Sequence, residues 1–272
     1  MLDLIIFISS FLAGILGSIL GIGGGIIIVP VLTLFLHIDI RYAIAASLIS
    51  IIATSSGAAA RFLKDHLTNI RIATLLEVGT VFGAMSGFLI TNKIPPKYLY
   101  FIFGLFLFFS AFMMLIKREN TTSTNDHLWS KKLNLASYYP DHNLGTVHYK
   151  VANVPFGLFL MYFAGVLSAL LGIGSGILKV LAMDTTMKLP LKVSSATSNF
   201  MIGVTATASA GAYFLKGDII PSVTAPVALG IILGSWIGAK IMLEMKQENI
   251  RKIFIVLLSI VALQMIYKGY ST

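Results

Sequence analysis

Long apolar segments make up most of this 272-residue chain, and each is about as long as a membrane-spanning helix or longer. Eight can be delimited, at 4–36, 41–62, 72–91, 98–116, 154–187, 193–214, 219–242 and 252–267. A helix needs about 20 mainly apolar residues to cross a bilayer, and a span must satisfy all its backbone polar groups internally. Only 11% of the residues are charged, against about a quarter in soluble domains. We therefore predict an all-α polytopic membrane protein.

The net charge of +9 does not indicate a nucleic-acid partner, because Lys and Arg lie in short loops between the apolar segments. Such positions set the orientation of membrane helices. The chain has no cysteine, which excludes disulfides and thiolate chemistry. His127, His142 and His148 do not follow a usual metal-ligand spacing. We expect a small solute and membrane lipid as partners, a second copy of the chain as a candidate partner, and no cofactor or metal.

Two of the apolar segments are too long for a single span and carry a glycine cluster. The segment 4–36 would form a helix of roughly 50 Å, whereas the hydrocarbon core is about 30 Å thick. The clusters are Gly21-Ile22-Gly23-Gly24-Gly25 and Gly172-Ile173-Gly174-Ser175-Gly176. Glycine is a poor helix former, so each cluster predicts a break inside the membrane.

The two halves of the chain repeat the same pattern at an offset of 151 residues. Gly21, Gly23, Gly25 and Val29 correspond to Gly172, Gly174, Gly176 and Val180, and the register continues to Gly83 and Gly87 opposite Gly234 and Gly238. The sequence therefore predicts two transmembrane repeats, 1–116 and 154–272. Residues 117–153 join them as a linker in which aromatic and β-branched runs flank a turn-rich stretch, a pattern typical of a β-hairpin.

The Lys and Arg positions discriminate between two topologies, because short cytoplasmic loops collect these residues. If all eight segments cross the membrane, the two sides receive 9 and 10 of them. If the glycine breaks make 4–36 and 154–187 re-entrant hairpins, the split is 14 to 5, with Lys179 inside the membrane. The second count favours inverted repeats, each with one re-entrant segment and three spanning helices, and both termini outside the cytoplasm.

Inverted repeats with broken helices place binding sites near the bilayer midplane. A helix that begins at the break leaves its first N–H groups unpaired, and glycines let an anion approach them. We expect Gly23, Gly24, Gly25, Gly174, Ser175 and Gly176 to form such an anion cradle, with glycine packing between helices as the alternative. Lys179 lies three residues beyond Gly176 and is either part of this site or a side chain that snorkels to the surface.

Polar residues in the neighbouring segments complete the predicted site. Ser47, Thr197, Ser198, Asn199 and Thr205 could donate to an oxyanion without the cost of a buried charge, although Ser and Thr also mediate ordinary helix contacts. Asn199 is the strongest of these candidates, because a buried amide needs partners. Glu77 is a candidate for a coupling proton or, alternatively, an interfacial carboxylate. Asp184 is expected to be a helix-end or ion-pair residue.

The chain resembles the sulfite exporter TauE/SafE family. The resemblance lies in both glycine segments, in SSATSNFMIGVTA at 194–206, in 230–238 and in the Tyr-rich linker. It implies a bacterial inner-membrane carrier that exports small sulfur-containing anions such as sulfite or sulfoacetate, or imports related ones. The sequence departs from the family at Leu181, where similar proteins tend to have Pro, and at Ser175, where Gly is frequent.

We predict a secondary transporter of a small anion, and two other classes remain alternatives. A passive anion channel would use the same site. An intramembrane enzyme would need a nucleophile–base pair or a metal cluster at membrane depth, and no His lies inside a segment except near its ends (His37 and His66). The chain is therefore not expected to be an enzyme.

The predicted topology can be tested with a reporter fused to the C-terminus. Because 14 of the 20 Lys and Arg residues then lie on the cytoplasmic side, we expect the reporter to be accessible only from the opposite side. A cytoplasmic reporter in intact cells would contradict the inverted arrangement.

Overall fold

A computed structural model describes residues 2–91, 94–115, 128–141, 145–171 and 175–271. Its helices are α1 (Leu2–Leu20), α2 (Gly25–Pro30), α3 (Ile40–Lys64), α4 (Ile70–Thr91), α5 (Pro96–Leu115), α6 (Leu128–Lys132), α7 (Val154–Leu171), α8 (Gly176–Leu181), α9 (Leu191–Lys216), α10 (Pro221–Glu244) and α11 (Gln247–Ser271). A π-helical turn follows α2 at Val31–Phe35, and another follows α8 at Ala182–Thr186. Two strands, β1 (Ser137–Asp141) and β2 (Gly145–Tyr149), complete the fold.

Four helices of the described residues are long and apolar enough to cross a membrane. They are Ile40–Lys64, Ile70–Ile90, Pro221–Glu244 and Glu248–Ser271. Shorter apolar helices occupy Leu4–Leu20, Gly25–Phe35, Lys97–Phe109 and Val154–Leu170. The 26-residue α9 carries more hydroxyl and amide side chains and is mostly buried among the other helices. The expected all-α multi-pass membrane protein is thus confirmed.

The first glycine cluster interrupts the helix where the sequence predicted a break. Gly21 and Gly23 have φ of 71° and 75°, values that favour glycine. The amides of Ile22 and Gly23 both donate to the carbonyl of Gly17, at 3.1 and 3.3 Å. A Cβ on Gly17 would lie 2.7 Å from the backbone of Gly23 and Gly24. The chain therefore folds back tightly at the end of α1 before α2 begins.

The second long segment has the same layout where it is described. The bounds of α8 and its π-helical turn equal those of α2 and its turn plus 151 residues. After each turn the chain makes the same bend, with the amides of Ile38 and Leu189 donating to Leu32 and Met183 at 3.0 Å. Leu181 is helical like Pro30, so this departure from the family leaves the geometry unchanged. Ser175 has φ of 55°, a conformation that Gly adopts more readily.

The helices of one half pack against those of the other. Gly230 lies against Phe7 and Gly238 against Ile15, so α1 and α10 run in parallel. Helices α4 and α7 make the corresponding parallel pair, in which Gly83 contacts the backbone of Tyr162. Helices α3 and α9 cross at the centre in antiparallel directions. Ser55 of α3 donates to the Phe200 carbonyl, and Thr68, in the loop after α3, donates to the Ala196 carbonyl, each at 3.5 Å. Helices α5 and α11 form a fourth pair, also antiparallel, with Gly269 beside Tyr100.

The linker docks onto one end of this helix bundle. Strands β1 and β2 pair antiparallel, with Tyr139 opposite Val147. The Asn69 amide donates to the Leu135 carbonyl and to the Tyr149 hydroxyl, both at 3.0 Å. Burial raises the pKa of the Tyr149 phenol. On the other side the Ala152 amide donates to the Met187 carbonyl at 3.0 Å. The hairpin therefore ties the α3–α4 loop to the segment that follows α8.

Two glycine-to-alanine substitutions distinguish the effect of helix packing on stability from the effect of helix propensity. A Cβ at Gly83 would collide with the Tyr162 carbonyl, whereas one at Gly211 would meet nothing within 4 Å. Gly83→Ala should destabilise the protein by about 1–3 kcal/mol through overpacking. Gly211→Ala should be neutral or stabilise it by up to about 1 kcal/mol, because Ala favours the helix. Thermal unfolding in detergent measures both, and equal effects would contradict the assigned α4–α7 contact.

Candidate functional site

The two broken segments meet at the centre of the molecule. A Cβ on Gly176 would lie 2.5 Å from the Ile22 Cα and 2.7 Å from the Gly21 carbonyl oxygen, so only glycine permits this approach. The Ser198 hydroxyl on α9 lies between the two backbones, 2.5 Å from the Gly21 carbonyl and 3.3 Å from the Gly176 carbonyl. The start of α8 therefore lies directly against the first break.

Helices α3 and α9 provide hydrogen-bond partners for the interrupted backbone. The Gly24 amide donates to the Thr54 hydroxyl of α3 at 3.2 Å. The Asn199 amide nitrogen of α9 donates to the carbonyls of Ser18 and Ser195, at 2.8 and 3.1 Å. The Ser195 hydroxyl donates to the Leu20 carbonyl at 3.3 Å. These contacts satisfy polar groups that lipid could not.

A buried ion pair lies beside this crossing. The Lys179 ammonium of α8 is 2.9 Å from Glu77 Oε2 of α4 and 2.5 Å from the Thr205 hydroxyl of α9. Thr205 in turn donates a short hydrogen bond to Glu77 Oε1. Lys179 and Thr205 are fully buried, and the Glu77 side chain is 11% exposed. We call these three residues the polar triad.

The carboxylate of Glu77 supplies the counter-charge of Lys179. A buried ammonium without such a partner carries a desolvation cost of several kcal/mol. Lys179 also does not snorkel to the surface, since it is 0% exposed.

The set of positions related to the polar triad by the internal repeat carries no charge. At the offset of 151 residues, Lys179, Glu77 and Thr205 correspond to Ile28, Ala228 and Thr54. The Thr54 hydroxyl accepts a hydrogen bond from the Gly24 amide. The two halves share a backbone pattern, and each contributes one ionisable residue, Glu77 or Lys179, to a single charged site.

The other predicted site residues fall into three groups. Gly23 and Gly24 are buried at the first break and Gly25 begins α2; Gly174 lies outside the described residues. Ser198, Asn199 and Gly176 lie at the crossing. Ser47 donates to the Ile44 carbonyl of its own helix at 2.8 Å, and the Thr197 hydroxyl accepts the Asn69 amide at 3.1 Å near the linker. The last two therefore do not contact the triad.

Asn199 is oriented differently from the sequence expectation. Both carbonyl contacts use its amide nitrogen, so its N–H groups are directed at backbone oxygens in this conformation. The buried Oδ1 atom has no partner among the described residues. A lone acceptor can take a hydrogen bond from a donor but cannot donate to an oxyanion.

Sequence reasoning did not single out several contacts at this site. Asn69, an unremarkable loop residue, connects α9 with the linker through its backbone and side chain. The role of Thr54 follows from its bond to the break that lies 30 residues earlier in the chain. Asp184 pairs with Arg251 at 3.3 Å, which confirms the ion-pair expectation. No group of three or more potential metal ligands occurs among the described residues, which include His148 but neither His127 nor His142.

Known proteins resemble this chain over nearly its whole length. The profile of the family described as sulfite exporter TauE/SafE matches residues 6–265. The probable membrane transporter protein YunE of Bacillus subtilis is 27% identical over 97% of both chains. A probable membrane transporter protein of Methanocaldococcus jannaschii is 29% identical over 96% of this chain and 94% of its own. Sulfite exporter TauE/SafE family protein 6 of Arabidopsis thaliana is 23% identical over 76% of this chain and 66% of its own. No solved structure matches.

A double-mutant cycle tests the ion pair of the triad. Lys179→Met or Glu77→Gln alone leaves one buried polar partner unpaired and should lower the free energy of unfolding by about 3–5 kcal/mol. The double substitution should cost less than the sum of the two. Lys252→Met is the control, since its pair with Glu248 is exposed and should contribute at most about 1 kcal/mol. Additive effects of Lys179→Met and Glu77→Gln would contradict the pairing.

Proposed function

The chain belongs to the sulfite exporter TauE/SafE family, and from this premise we propose that it is a secondary transporter that exports a small anion. The cargo class is a sulfur oxyanion or organosulfonate, such as sulfite or sulfoacetate. The membrane transporter function follows from the family and from the names of its relatives. The identity of the anion, the direction of transport and the location of the binding site go beyond the family assignment and are the subject of the proposal.

The observation that carries the proposal is the fully buried Lys179 beside the crossing of the two broken segments. A cation at this depth is costly and marks a substrate or ion pathway by default. Glu77 neutralises it through the 2.9 Å ion pair. A cargo anion would replace Glu77 as the partner of Lys179 and would lie near the start of α8, whose backbone N–H groups favour negative charge.

The charge balance of the triad suggests how protons couple to transport. If an anion binds while Glu77 is ionised, the buried site has one uncompensated negative charge. If Glu77 takes up a proton, Lys179 and the anion form a neutral pair in its place. Proton and anion should therefore bind together and cross in the same direction. Export then requires a cargo gradient that outweighs an inward proton gradient.

Inverted repeats would supply the conformational change. Two observations support them. The starts of α2, α3, α4 and α5 recur 151 residues later as the starts of α8, α9, α10 and α11. Each first helix of a half also packs against a helix of the other half, α1 on α10 and α7 on α4. We propose that α1–α2 and α7–α8 are re-entrant segments, that three spanning helices follow in each repeat, and that rocking of one repeat against the other exposes the crossing alternately.

The contacts of the linker support the proposed orientation. Arg71 donates to the Asn134 carbonyl at 2.8 Å, and Asn153 donates to the Thr186 carbonyl at 3.3 Å. These contacts gather the α3–α4 loop, the linker and the segment after α8 on one side, which is the side rich in Lys and Arg. We propose that this side is cytoplasmic, that both termini are periplasmic and that the protein lies in the bacterial inner membrane.

Transport by purified protein in liposomes tests the site. We expect uptake of labelled sulfite or a sulfonate to be saturable and to increase with an inward proton gradient. Lys179→Ala should abolish it because the cation is lost. Asn199→Ala should abolish it because α9 loses its bond to the Ser18 carbonyl near the end of α1. Glu77→Gln should retain flux down the cargo gradient and lose the response to pH. Lys252→Ala, an exposed cation, should transport normally.

The outcomes distinguish the alternatives. Uptake that is unchanged in both Lys179→Ala and Asn199→Ala would remove the site assignment. Large single-channel currents without saturation would identify a passive channel. Failure of every sulfur anion, with saturable uptake of another anion that still requires Lys179, would retain the carrier and replace the cargo class.

A further inference from the structure

A groove of about 470 Å³ lies between α4 and α9. Val78 and Phe82 of α4 line one wall, and Phe200 and Val204 of α9 line the other. Glu77 is also part of its lining. The groove is therefore an apolar space that ends at one member of the polar triad.

The mouth of this groove faces the hydrocarbon of the bilayer. Val78, Phe82 and Val204 are 56%, 63% and 47% exposed, and α4 is one of the helices long and apolar enough to cross the membrane. Met85 and Leu89 continue the same exposed apolar face along α4. Among the side chains that line the groove, only the Glu77 carboxylate and the Thr74 hydroxyl can form hydrogen bonds with water.

The equivalent interface in the other half is packed more closely. Gly57 of α3 lies directly against Ser235 and Ile232 of α10. At the offset of 151 residues, Ala208 of α9 stands where α3 has Gly57. Helices α4 and α9 leave the groove at the corresponding interface.

Only one residue of the triad is accessible from this groove. The Glu77 side chain is 11% exposed, whereas Lys179 and Thr205 are completely buried. The Glu77 carboxylate therefore forms the polar boundary between the bilayer-facing groove and the buried ammonium.

We propose that this groove binds one acyl chain of a bilayer lipid, which lies against Glu77 and seals the polar triad from the side. The apolar walls, the open mouth and the membrane depth together match a hydrocarbon chain. An acyl chain at this position keeps water from the ion pair, which strengthens the Lys179–Glu77 attraction. The proposal does not depend on which solute the protein transports.

Photolabelling of the reconstituted protein tests the proposal. A phosphatidylcholine with a diazirine on its acyl chain should label α4 and α9 peptides around Phe82 and Val204 more strongly than other lipid-facing helices. Val204→Trp should fill the groove and reduce this labelling to the level of those helices. Val78→Trp, from the opposite wall, is a second filling variant in case the first does not fold. Leu233→Trp is the matched control, because Leu233 is the equivalent of Phe82 on the closed interface and is 53% exposed.

Reaction of Glu77 with a membrane-soluble carbodiimide gives a second measurement. One carboxylate oxygen bonds to the central carbon of dicyclohexylcarbodiimide while a proton from the Lys179 ammonium goes to its nitrogen. The adduct then rearranges to an N-acylurea, or the Lys179 amine displaces dicyclohexylurea to form an amide with Glu77. Peptide mass spectrometry identifies either product. The reaction should be lost in Val204→Trp and retained in Leu233→Trp.

Two results would overturn the proposal. One is labelling spread evenly over all lipid-facing helices and unchanged by both filling variants. The other is modification of Glu77 by a cationic, water-soluble carbodiimide as fast as by the membrane-soluble reagent, since this would show that water fills the groove.

Discussion

An interrupted helix inside a bilayer must find hydrogen-bond partners within the protein, and this requirement organises the whole molecule. Lipid offers no donors or acceptors, so each unpaired backbone group there costs several kcal/mol. The chain meets the requirement at the crossing. There the Thr54 hydroxyl accepts a hydrogen bond from the Gly24 amide, and the Ser198 hydroxyl lies between the carbonyls of Gly21 and Gly176. Helices α3 and α9 supply these hydrogen-bond partners to the first break and to the start of α8.

The same crossing accounts for the location of the charges. Lys179 belongs to the short helix that begins at the second break, and Glu77 and Thr205 reach it from α4 and α9. Three elements must therefore keep their positions for the ion pair to remain buried and satisfied. Because Ile28, Ala228 and Thr54 occupy the equivalent positions, the site related by the repeat has a similar backbone without this electrostatic constraint. A rearrangement of the halves would change the environment of one ion pair rather than of two.

Much of this arrangement could be predicted from residue patterns. Glycine clusters in segments too long for one span indicated the breaks, because helix length and bilayer thickness are both known quantities. Intramembrane charges are rare enough that Lys179 and Glu77 stood out individually. Their pairing could not be predicted, since 102 residues separate them and no local period relates them. Ser47 and Thr197 have the same residue types as Ser198 and Thr205 but face other partners.

The sequence by itself determined the class of the protein and the places where its helices stop, because hydrophobic length and glycine content act locally along the chain. The tertiary structure alone decided which polar groups meet. Glu77 neutralises Lys179, the N–H groups of Asn199 point at backbone carbonyls, and α4 and α9 leave a groove that α3 and α10 close. Each of these depends on how helices distant in sequence approach one another.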